Sequence, residues 1–308
     1  MLTLRRILVP TDFSPCAEQA LAHAAFLARG YGASIDLAHV IPVAPGYPLA
    51  GVRAEDTEDA AEVERRLREI VDDEGLGNVD VRTHVTRGED GVGTTLLDTA
   101  SNVDADLIVL GTHGRRGMRR LFLGSEAEEV IRGSDRPVLA VRQQQPSADP
   151  ADIGRVLVPL DLSEHSVGAL EHAVDLARQY EAHLHLLHVV QPLPDYELPG
   201  IYQSSLPPRT DVTDALTDSA REELAGLAEQ VDLPTSRVHW DVQHGDPASV
   251  IVDTAEDDGA DLIVLASHGR TGLERFLMGS VAEKTIRLAP CPVFVVKAYG
   301  RRLVGPNP

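Results

Sequence analysis

Short apolar runs alternate along the chain with longer segments whose apolar residues recur at helical spacing. The first run, RRILVP at 5–10, is rich in aliphatic residues, ends in proline and is typical of a strand. In the segment that follows, the apolar residues lie three or four positions apart: Ala17, Leu21, Ala24 and Ala28. This spacing predicts a helix with one buried face, with Ser14 as its N-cap and Pro15 at the favoured first position.

The same pattern is written twice. Residues 4–40 are echoed at 153–189 and residues 105–125 at 260–280, with offsets of 149 and 155. A net insertion of six residues must therefore lie between the two blocks, and we place it in the proline-rich stretch 191–210. The second copy has Ser163 at the expected N-cap and apolar residues at the same helical spacing: Val167, Leu170, Val174 and Ala177.

Between the copies, residues 143–152 are polar, contain proline and show no periodicity, as expected of a linker. We therefore predict two domains, 1–146 and 153–308, joined by a linker at 147–152. A chain of 308 residues is long enough for two domains that each bury a core.

Each copy reads as five strands and four helices. The predicted later elements are strands at 34–41 and 183–190, charged helices near 55–73 and 212–230, strands at 79–86 and 237–244, helices starting near Val92 and Ala248, strands at 106–111 and 261–266, helices beginning at Ser125 and Ser280, and strands at 137–142 and 292–297. Alternation of this kind predicts an α/β fold with two doubly wound, five-stranded parallel-sheet domains in tandem. In such a sheet the ligand crevice lies beyond the carboxyl ends of the strands, where the loops after Pro10, Val40 and Gly111 converge.

The segment GTHGRRGMRRLFLGS at 111–125 has the parts of a phosphate cradle. Gly111 and Gly114 follow a strand, and Gly124 with Ser125 opens a helix. Glycines let backbone N–H groups approach a phosphate closely, and a helix N-terminus adds donors and a favourable dipole.

An ordinary helix cap would use the same residues. Glu128 and Glu283 stand three residues after Ser125 and Ser280, which completes an S-x-x-E capping box with each serine as N-cap. The residues alone leave cradle and cap both open. No Gly-Lys pair occurs in the chain and no GxGxxG follows a strand, so a Walker A loop is excluded.

Both copies, over nearly their whole length, resemble the universal stress protein family. The resemblance is carried by PTDFS and PLDLS, by DLIVLGTHGRRG and DLIVLASHGRTG, and by RPVLAVR and CPVFVVK. The family's ATP-binding motif, G-x2-G-x9-G-(S/T), is matched in full by Gly111, Gly114, Gly124 and Ser125. The resemblance implies Rossmann-like domains of the adenine nucleotide α-hydrolase-like type that bind ATP, with or without Mg²⁺, in a stress-response role that is regulatory or protective and not catalytic.

The resemblance also implies which residues meet the nucleotide. Asp12, in the loop that leaves Pro10, would contact the ribose and adenine region, Val40 the adenine, and the glycines and Ser125 the phosphates. The corresponding residues of the second copy are Pro159, Asp161, Val189, Gly269, Gly279 and Ser280.

Each copy departs from the family pattern at one place. The second copy has Ala266 where the first glycine belongs, and a Cβ there either crowds a phosphate or is tolerated. The first copy has Glu126 after Ser125, where the second has Val281, and a carboxylate would repel a bound phosphate. Which copy holds the nucleotide, and whether either does, stays open. A scaffold protein with vacant sites and a slow ATPase are the alternatives.

Other side chains offer weaker chemistry. His113 and His268 recur within the loop and could bond a phosphate or only the backbone, and Arg115 and Arg270 could be counter-ions. His183 and His185 share one face of a strand, but no acidic or cysteine partner is placed with them by the sequence, so we expect no metal. No catalytic constellation is recognisable.

The composition of the chain narrows the classes of partner that it can be expected to bind. The net charge of −20 disfavours nucleic acid and anionic membranes as partners. An acid-rich chain with only two lysines is typical of a high-salt cytoplasm, and composition leaves an ordinary acidic protein as the alternative. Cys16 and Cys291 form no disulfide framework, no apolar run approaches a membrane span, and MLTLRRILVPTD is too short in apolar residues for a signal peptide. We expect a cytoplasmic protein.

The fifth strands are apolar and end each copy, so they are expected to be sheet edges that need cover. Members of the family commonly pair at this strand, so the resemblance implies an internal pseudo-dimer of the two copies, with a homodimer of chains as a further possibility.

Overall fold

The fold alternates strands and helices through both copies, as the sequence predicts. The computed structural model describes residues 2–43, 59–72, 76–113, 123–142, 149–191, 209–269 and 278–304. The first copy contains β1 (Arg6–Pro10), α1 (Pro15–Tyr31), β2 (Ser34–Pro42), α2 (Ala60–Val71), β3 (Val81–Gly88), α3 (Val92–Asn102), β4 (Leu107–Gly111), α4 (Ser125–Gly133) and β5 (Val138–Val141). The second contains β6 (Arg155–Pro159), α5 (Glu164–Gln179), β7 (His183–Val190), α6 (Arg209–Gln230), β8 (Val238–His244), α7 (Pro247–Asp257), β9 (Leu262–Ala266), α8 (Ser280–Leu288) and β10 (Val293–Val296).

The strands form one ten-stranded sheet in the order β3-β2-β1-β4-β5-β10-β9-β6-β7-β8. All pairs within a copy are parallel. The copies meet where β5 and β10 pair antiparallel, with Phe294 opposite Leu139. This is the pairing that the sequence analysis expects of the fifth strands, and it leaves β3 and β8 at the two ends of the sheet.

Helices cover both faces of the sheet. One apolar cluster holds buried residues of α1, α2, α5 and α6, and a second holds those of α3, α4, α7 and α8. Both clusters run through both copies. In each copy the chain reverses its direction of travel across the sheet between the first and fourth strands, which is the switch point at which doubly wound folds bind ligands.

The predicted caps of the first helix in each copy are confirmed. Ser14 has extended backbone angles and its hydroxyl accepts from the Ala17 N–H at 3.3 Å, and Pro15 opens the helix. Ser163 accepts from the Ser166 N–H in the same way. The charged helix expected near 55–73 begins at Ala60, and the part of that prediction before residue 59 lies outside the described residues, as does most of the proline-rich insertion. No helix among the described residues is long and apolar enough to span a membrane.

A buried carboxylate joins the two copies away from the sheet. Asp175, on α5, is 6% exposed and accepts from the Leu2 backbone N–H at 2.8 Å and from the Tyr31 hydroxyl at 3.0 Å. Burial and then the Asp175 charge raise the pKa of Tyr31, so its hydroxyl stays protonated and donates. This hydrogen bond therefore ties the end of α1 to the other copy.

Replacing Tyr31 with phenylalanine is expected to lower the free energy of unfolding by roughly 1.5–3 kcal/mol, because one hydrogen bond to a buried carboxylate is lost while the ring is kept. The measurement is the urea denaturation midpoint. Tyr299→Phe is the matched control, since Tyr299 is 42% exposed, and it should leave the midpoint unchanged. Equal effects of the two variants would contradict the assignment.

Candidate functional site

The predicted site residues of the first copy that end strands lie together at the carboxyl ends of those strands. Pro10 ends β1, Val40 lies near the end of β2, and Gly111 ends β4. Because these strands are parallel and adjacent, their carboxyl ends open onto the same side. In the second copy Pro159, Val189 and Ala266 have the corresponding positions.

The turn after the first strand has an unusual backbone. Phe13 has a φ of 63° and its counterpart Leu162 has 62°, a left-handed conformation that bulky residues rarely adopt. The preceding aspartate holds the turn, because Asp12 Oδ1 accepts from the Ser14 N–H at 3.0 Å and Asp161 Oδ1 from the Ser163 N–H at 3.1 Å. Strained residues of this kind cluster at functional sites, and here the strain occurs in both copies.

A buried histidine supports each turn from the second strand. His39 Nδ1 lies 2.7 Å from the Thr11 carbonyl oxygen, and His188 Nδ1 lies 2.7 Å from that of Leu160. Sequence reasoning did not single out this pair, although the repeat itself carried the signal, since the two histidines correspond at the offset of 149. In the first copy the Phe13 ring also contacts His39, with centroids 4.8 Å apart.

Gly111 allows close packing of the glycine loop on α1. A Cβ built on it would lie 3.0 Å from the Cys16 sulfur and backbone carbon, so packing alone favours glycine here. The second copy has Ala266 at the end of β9, with His165 in the position of Cys16. Ala266 keeps its place in β9, where it pairs with Val296 of β10.

Gly269 brings the second glycine loop against the turn after β6. A Cβ on this residue would lie 2.2 Å from the Asp161 Oδ2, a distance at which atoms collide. The glycine therefore permits the contact between the loop and Asp161. Its counterpart Gly114 lies outside the described residues, as do Arg115 and Arg270.

Each loop returns to the end of its own strand. The Gly124 N–H donates to the Thr112 carbonyl at 2.9 Å, and the Gly279 N–H to the Ser267 carbonyl at 2.9 Å. These bonds fix the first turns of α4 and α8 beside the ends of β4 and β9. The start of each helix is thereby held at the switch point.

The capping-box alternative for Ser125 and Ser280 is wrong, because neither serine is the N-cap of its helix. The carbonyl of Gly124 accepts from the Glu128 N–H at 2.8 Å, and that of Gly279 from the Glu283 N–H at 2.9 Å, so the glycines are the N-caps and the serines are the first helical residues. From that position a serine hydroxyl does not cap the first turn. Glycine has no side chain, so the N-cap residue of neither helix supplies a side-chain acceptor.

The start of α4 differs from that of α8 in charge. The Ser125 hydroxyl donates to the Glu126 carboxylate at 2.6 Å, and both side chains are exposed. Val281 replaces Glu126 in the second copy. The first copy thus places a carboxylate at the helix N-terminus, where it is attracted by the dipole and would repel a phosphate.

The loop histidines make matching contacts with the residue before them. His113 Nδ1 lies 2.9 Å from the Thr112 hydroxyl and His268 Nδ1 lies 3.0 Å from the Ser267 hydroxyl. Burial and then the charge of Lys297 lower the pKa of His268, which favours its neutral form. Both partners are side-chain hydroxyls and not the backbone groups expected of a purely structural histidine, and phosphate binding by these histidines stays a prediction.

The histidines of β7 lie elsewhere. His185 Nδ1 is 2.8 Å from the Asp258 carboxylate, and with His183 it lines a cavity of about 570 Å³ at the beginnings of β6 and β7. A second cavity of about 300 Å³ lies between β3 and α3. Within the described ranges no group of three or more His, Cys, Asp or Glu side chains is arranged to hold a metal ion. The larger cavity is at the opposite ends of the strands from the residues assigned to nucleotide.

Comparison with known proteins places the chain in one family. The sequence profile of the Universal stress protein family matches residues 3–142 and again 153–297. A universal stress protein of Mycolicibacterium smegmatis is 30% identical over 303 residues, covering 94% of this chain and 96% of that protein. The crystal structure of a universal stress protein from Archaeoglobus fulgidus is similar with a TM-score of 0.63 and 22% identity, covering 95% of this chain and 98% of that one.

A further solved universal stress protein is in complex with cAMP. It is 25% identical and covers 46% of this chain and 99% of its own, with a TM-score of 0.35. The two profile matches coincide with the two halves of the ten-stranded sheet. The chain therefore belongs to the universal stress protein family and carries that family's domain twice.

Proposed function

We propose that the chain binds ATP at the carboxyl ends of its strands, at one site in each copy. The observation that carries this proposal is that the N-cap of both α4 and α8 is a glycine, which brings no side-chain acceptor. The N-cap side chain accepts a first-turn amide in α1, α2, α5 and α7, whereas the N-cap residue of α4 and of α8 is a glycine and supplies no such acceptor. Helix α3 also lacks one, but only in the first copy, because α7 is capped by Asp246.

Free amides at a helix N-terminus are the donors that a phosphate needs, and the dipole adds to their attraction. The Gly124 and Gly279 N–H groups are already bonded to strand-end carbonyls, so the donors assigned to phosphate belong to the residues after them. Asp12 and Asp161 leave the neighbouring strands, where a carboxylate oxygen can accept from ribose hydroxyls. Their turns are held by hydrogen bonds before any ligand arrives.

Mg²⁺, where it takes part, would enter on the nucleotide phosphates, because the described residues hold no protein cluster for it. The chain's role would be nucleotide-dependent regulation or protection in the stress response, in the cytoplasm, without dedicated catalysis. The net charge of −20 repels a polyphosphate. The attraction must therefore come from a local site built from backbone N–H groups.

Equilibrium binding of labelled ATP to the purified full chain tests this proposal. We expect saturable binding with up to two ATP per chain. The titration should be run at low and at high salt, because screening reduces repulsion between the acidic surface and the nucleotide. Absence of saturable binding at both salts would reject the proposal and favour a scaffold protein with vacant sites.

Exchanging the residues after the two serines is expected to exchange the affinities of the two sites. Glu126→Val should tighten ATP binding in the first copy by roughly fivefold, because a partly screened repulsion of about 1 kcal/mol is removed. Val281→Glu should weaken the second site by a similar factor. Each affinity is measured with labelled ATP in a chain whose other site is blocked. Movement of either affinity in the opposite direction would show that this residue does not face the phosphates.

A further inference from the structure

The end of each fifth strand is bonded to the glycine loop of its own copy. The Thr112 N–H donates to the Val141 carbonyl at 2.8 Å, and the Ser267 N–H donates to that of Val296 at 2.8 Å. The same residues, Thr112 and Ser267, accept from the glycines that open α4 and α8. Each candidate site is therefore linked, through two hydrogen bonds, to the last residue of its copy's fifth strand.

The next residue along each strand reaches into the other copy. Arg142 follows β5, and its Nη1 donates to the carbonyls of Arg287 at 3.0 Å and Ala289 at 2.7 Å, at the C-terminal end of α8. Lys297 follows β10, and its Nζ donates to the carbonyl of Ile131, in the last turn of α4. Cations at these carbonyls satisfy groups that a helix end leaves unpaired.

Each of these helices begins at a candidate site and ends against a cation from the other copy. Starting at Gly124, the bonds lead through Thr112 and Val141 to Arg142 and across to the end of α8. The path continues along α8 to its start at Gly279. From Gly279 it passes through Ser267 and Val296 to Lys297, which contacts the end of α4. The path closes on itself and passes through both sites.

We propose that Arg142 and Lys297 are positioning residues that couple the two ATP sites, each by fixing the helix whose N-terminus forms the other copy's phosphate site. This inference rests on the proposed function, because it assumes that ATP binds. The hydrogen bonds that connect the two helices do not depend on that assumption. Phosphate binding at the start of α4 would pull on a helix of nine residues whose far end is held by Lys297, beside the second glycine loop. The reverse holds for α8 and Arg142.

The surroundings of the two cations favour a mechanical link. Lys297 is 7% exposed, so its bond to Ile131 is shielded from solvent. The same burial lowers the pKa of Lys297 to about 8. A direct ion pair also joins the helices, with Arg132 of α4 lying 3.8 Å from Glu283 of α8. Energetic coupling between sites is carried by packed elements and hydrogen bonds of this kind when both sites act on them.

Hydrogen exchange of the full chain without nucleotide tests the link itself. Lys297→Met keeps the length of the side chain but removes the donor, and should raise amide exchange in 123–133, in the other copy, by roughly tenfold. Arg142→Met should do the same in 278–289, and Arg142→Lys should restore protection. Lys284→Met is the control, because Lys284 lies on α8 but is exposed and pairs only at 3.9 Å with Asp246. Exchange that rises only in the copy carrying the substitution would overturn the proposal.

Titration with labelled ATP tests the coupling. Blocking one site should change the affinity of the other by roughly fivefold, by the same factor in both directions. Lys297→Met should reduce that change, and the double variant Arg142→Met with Lys297→Met should remove it. Two sites that bind ATP independently in the wild-type chain would overturn the inference while leaving the proposed function intact. A wild-type chain that binds no ATP would overturn the proposed function and the coupling of sites together, and the exchange measurement would still decide whether the two residues hold the helices.

Discussion

Replacing Gly124 with aspartate is expected to abolish ATP binding in the first copy while the chain stays folded. Gly124 has φ −63° and ψ 144°, angles that any residue can adopt, and aspartate is among the preferred N-cap residues. The new carboxylate would accept the first-turn amides that we assign to phosphate. It would also place a negative charge about 5 Å from a bound phosphate, which at an effective dielectric constant of about 20 costs roughly 3 kcal/mol.

A penalty of this size raises the dissociation constant by about a hundredfold or more. Gly279→Asp should act in the same way on the second copy, where the angles are φ −61° and ψ 143°. With labelled ATP, each single variant should lose one saturable site and the double variant should bind none. Thermal denaturation of the same samples should show unchanged or slightly raised stability.

Gly124→Ser is the matched control, because serine caps the helix without adding charge. It should weaken ATP binding less than aspartate does. If the aspartate variant is stable and still binds two ATP, the start of α4 is not a phosphate site. If serine and aspartate weaken binding equally, competition for the amides matters and charge does not.

Replacing Phe294 with alanine is expected to lower the free energy of unfolding by about 3–5 kcal/mol, because a fully buried aromatic side chain leaves a cavity behind. Phe294 is 1% exposed and stands opposite Leu139 in the strand pair that joins the copies. The cavity would therefore open at the junction, and both halves of the sheet would lose packing contacts. The measurement is urea denaturation, followed by circular dichroism for the whole chain and by fluorescence of Trp240 for the second copy.

Leu216→Ala is the control for this variant, because Leu216 is 46% exposed on α6, and the expected change is within about 0.5 kcal/mol. The two probes should give one coincident transition in the wild-type chain, as expected when both copies share a sheet and two apolar clusters. A Phe294→Ala variant that unfolds with the wild-type midpoint would show that the junction contributes little to stability.

The sequence was sufficient for the order of strands and helices because the signals that set them are local. Aliphatic runs ended by proline, a serine before a helix, and a pattern written twice predicted elements such as β1, α1 and their counterparts. The two caps at Ser14 and Ser163 could be predicted because an N-cap depends on four neighbouring residues. Pairing of the fifth strands was expected from the family resemblance and from their apolar character.

The finer features of the site could not be predicted from local patterns. A serine followed by glutamate three residues later satisfies the capping-box pattern, yet Gly124 is the cap because its N–H is held by Thr112, a contact across a loop of eleven residues. The left-handed Phe13 is equally invisible, since nothing in its residue type favours that conformation. The contact of His39 with the turn after β1 and the contact of Lys297 with the other copy depend on tertiary structure alone.

The antiparallel pairing of β5 with β10 has a consequence for how the two halves can diverge. In an assembly of identical chains, every substitution appears on both sides of the symmetry axis, so both sites change together. Here the partner is the other half of the same chain, because the outer side of each fifth strand is paired with the fifth strand of the other copy. Glu126 and Ala266 could therefore arise each in one half only, and the two nucleotide sites that we propose can differ in affinity within a single polypeptide.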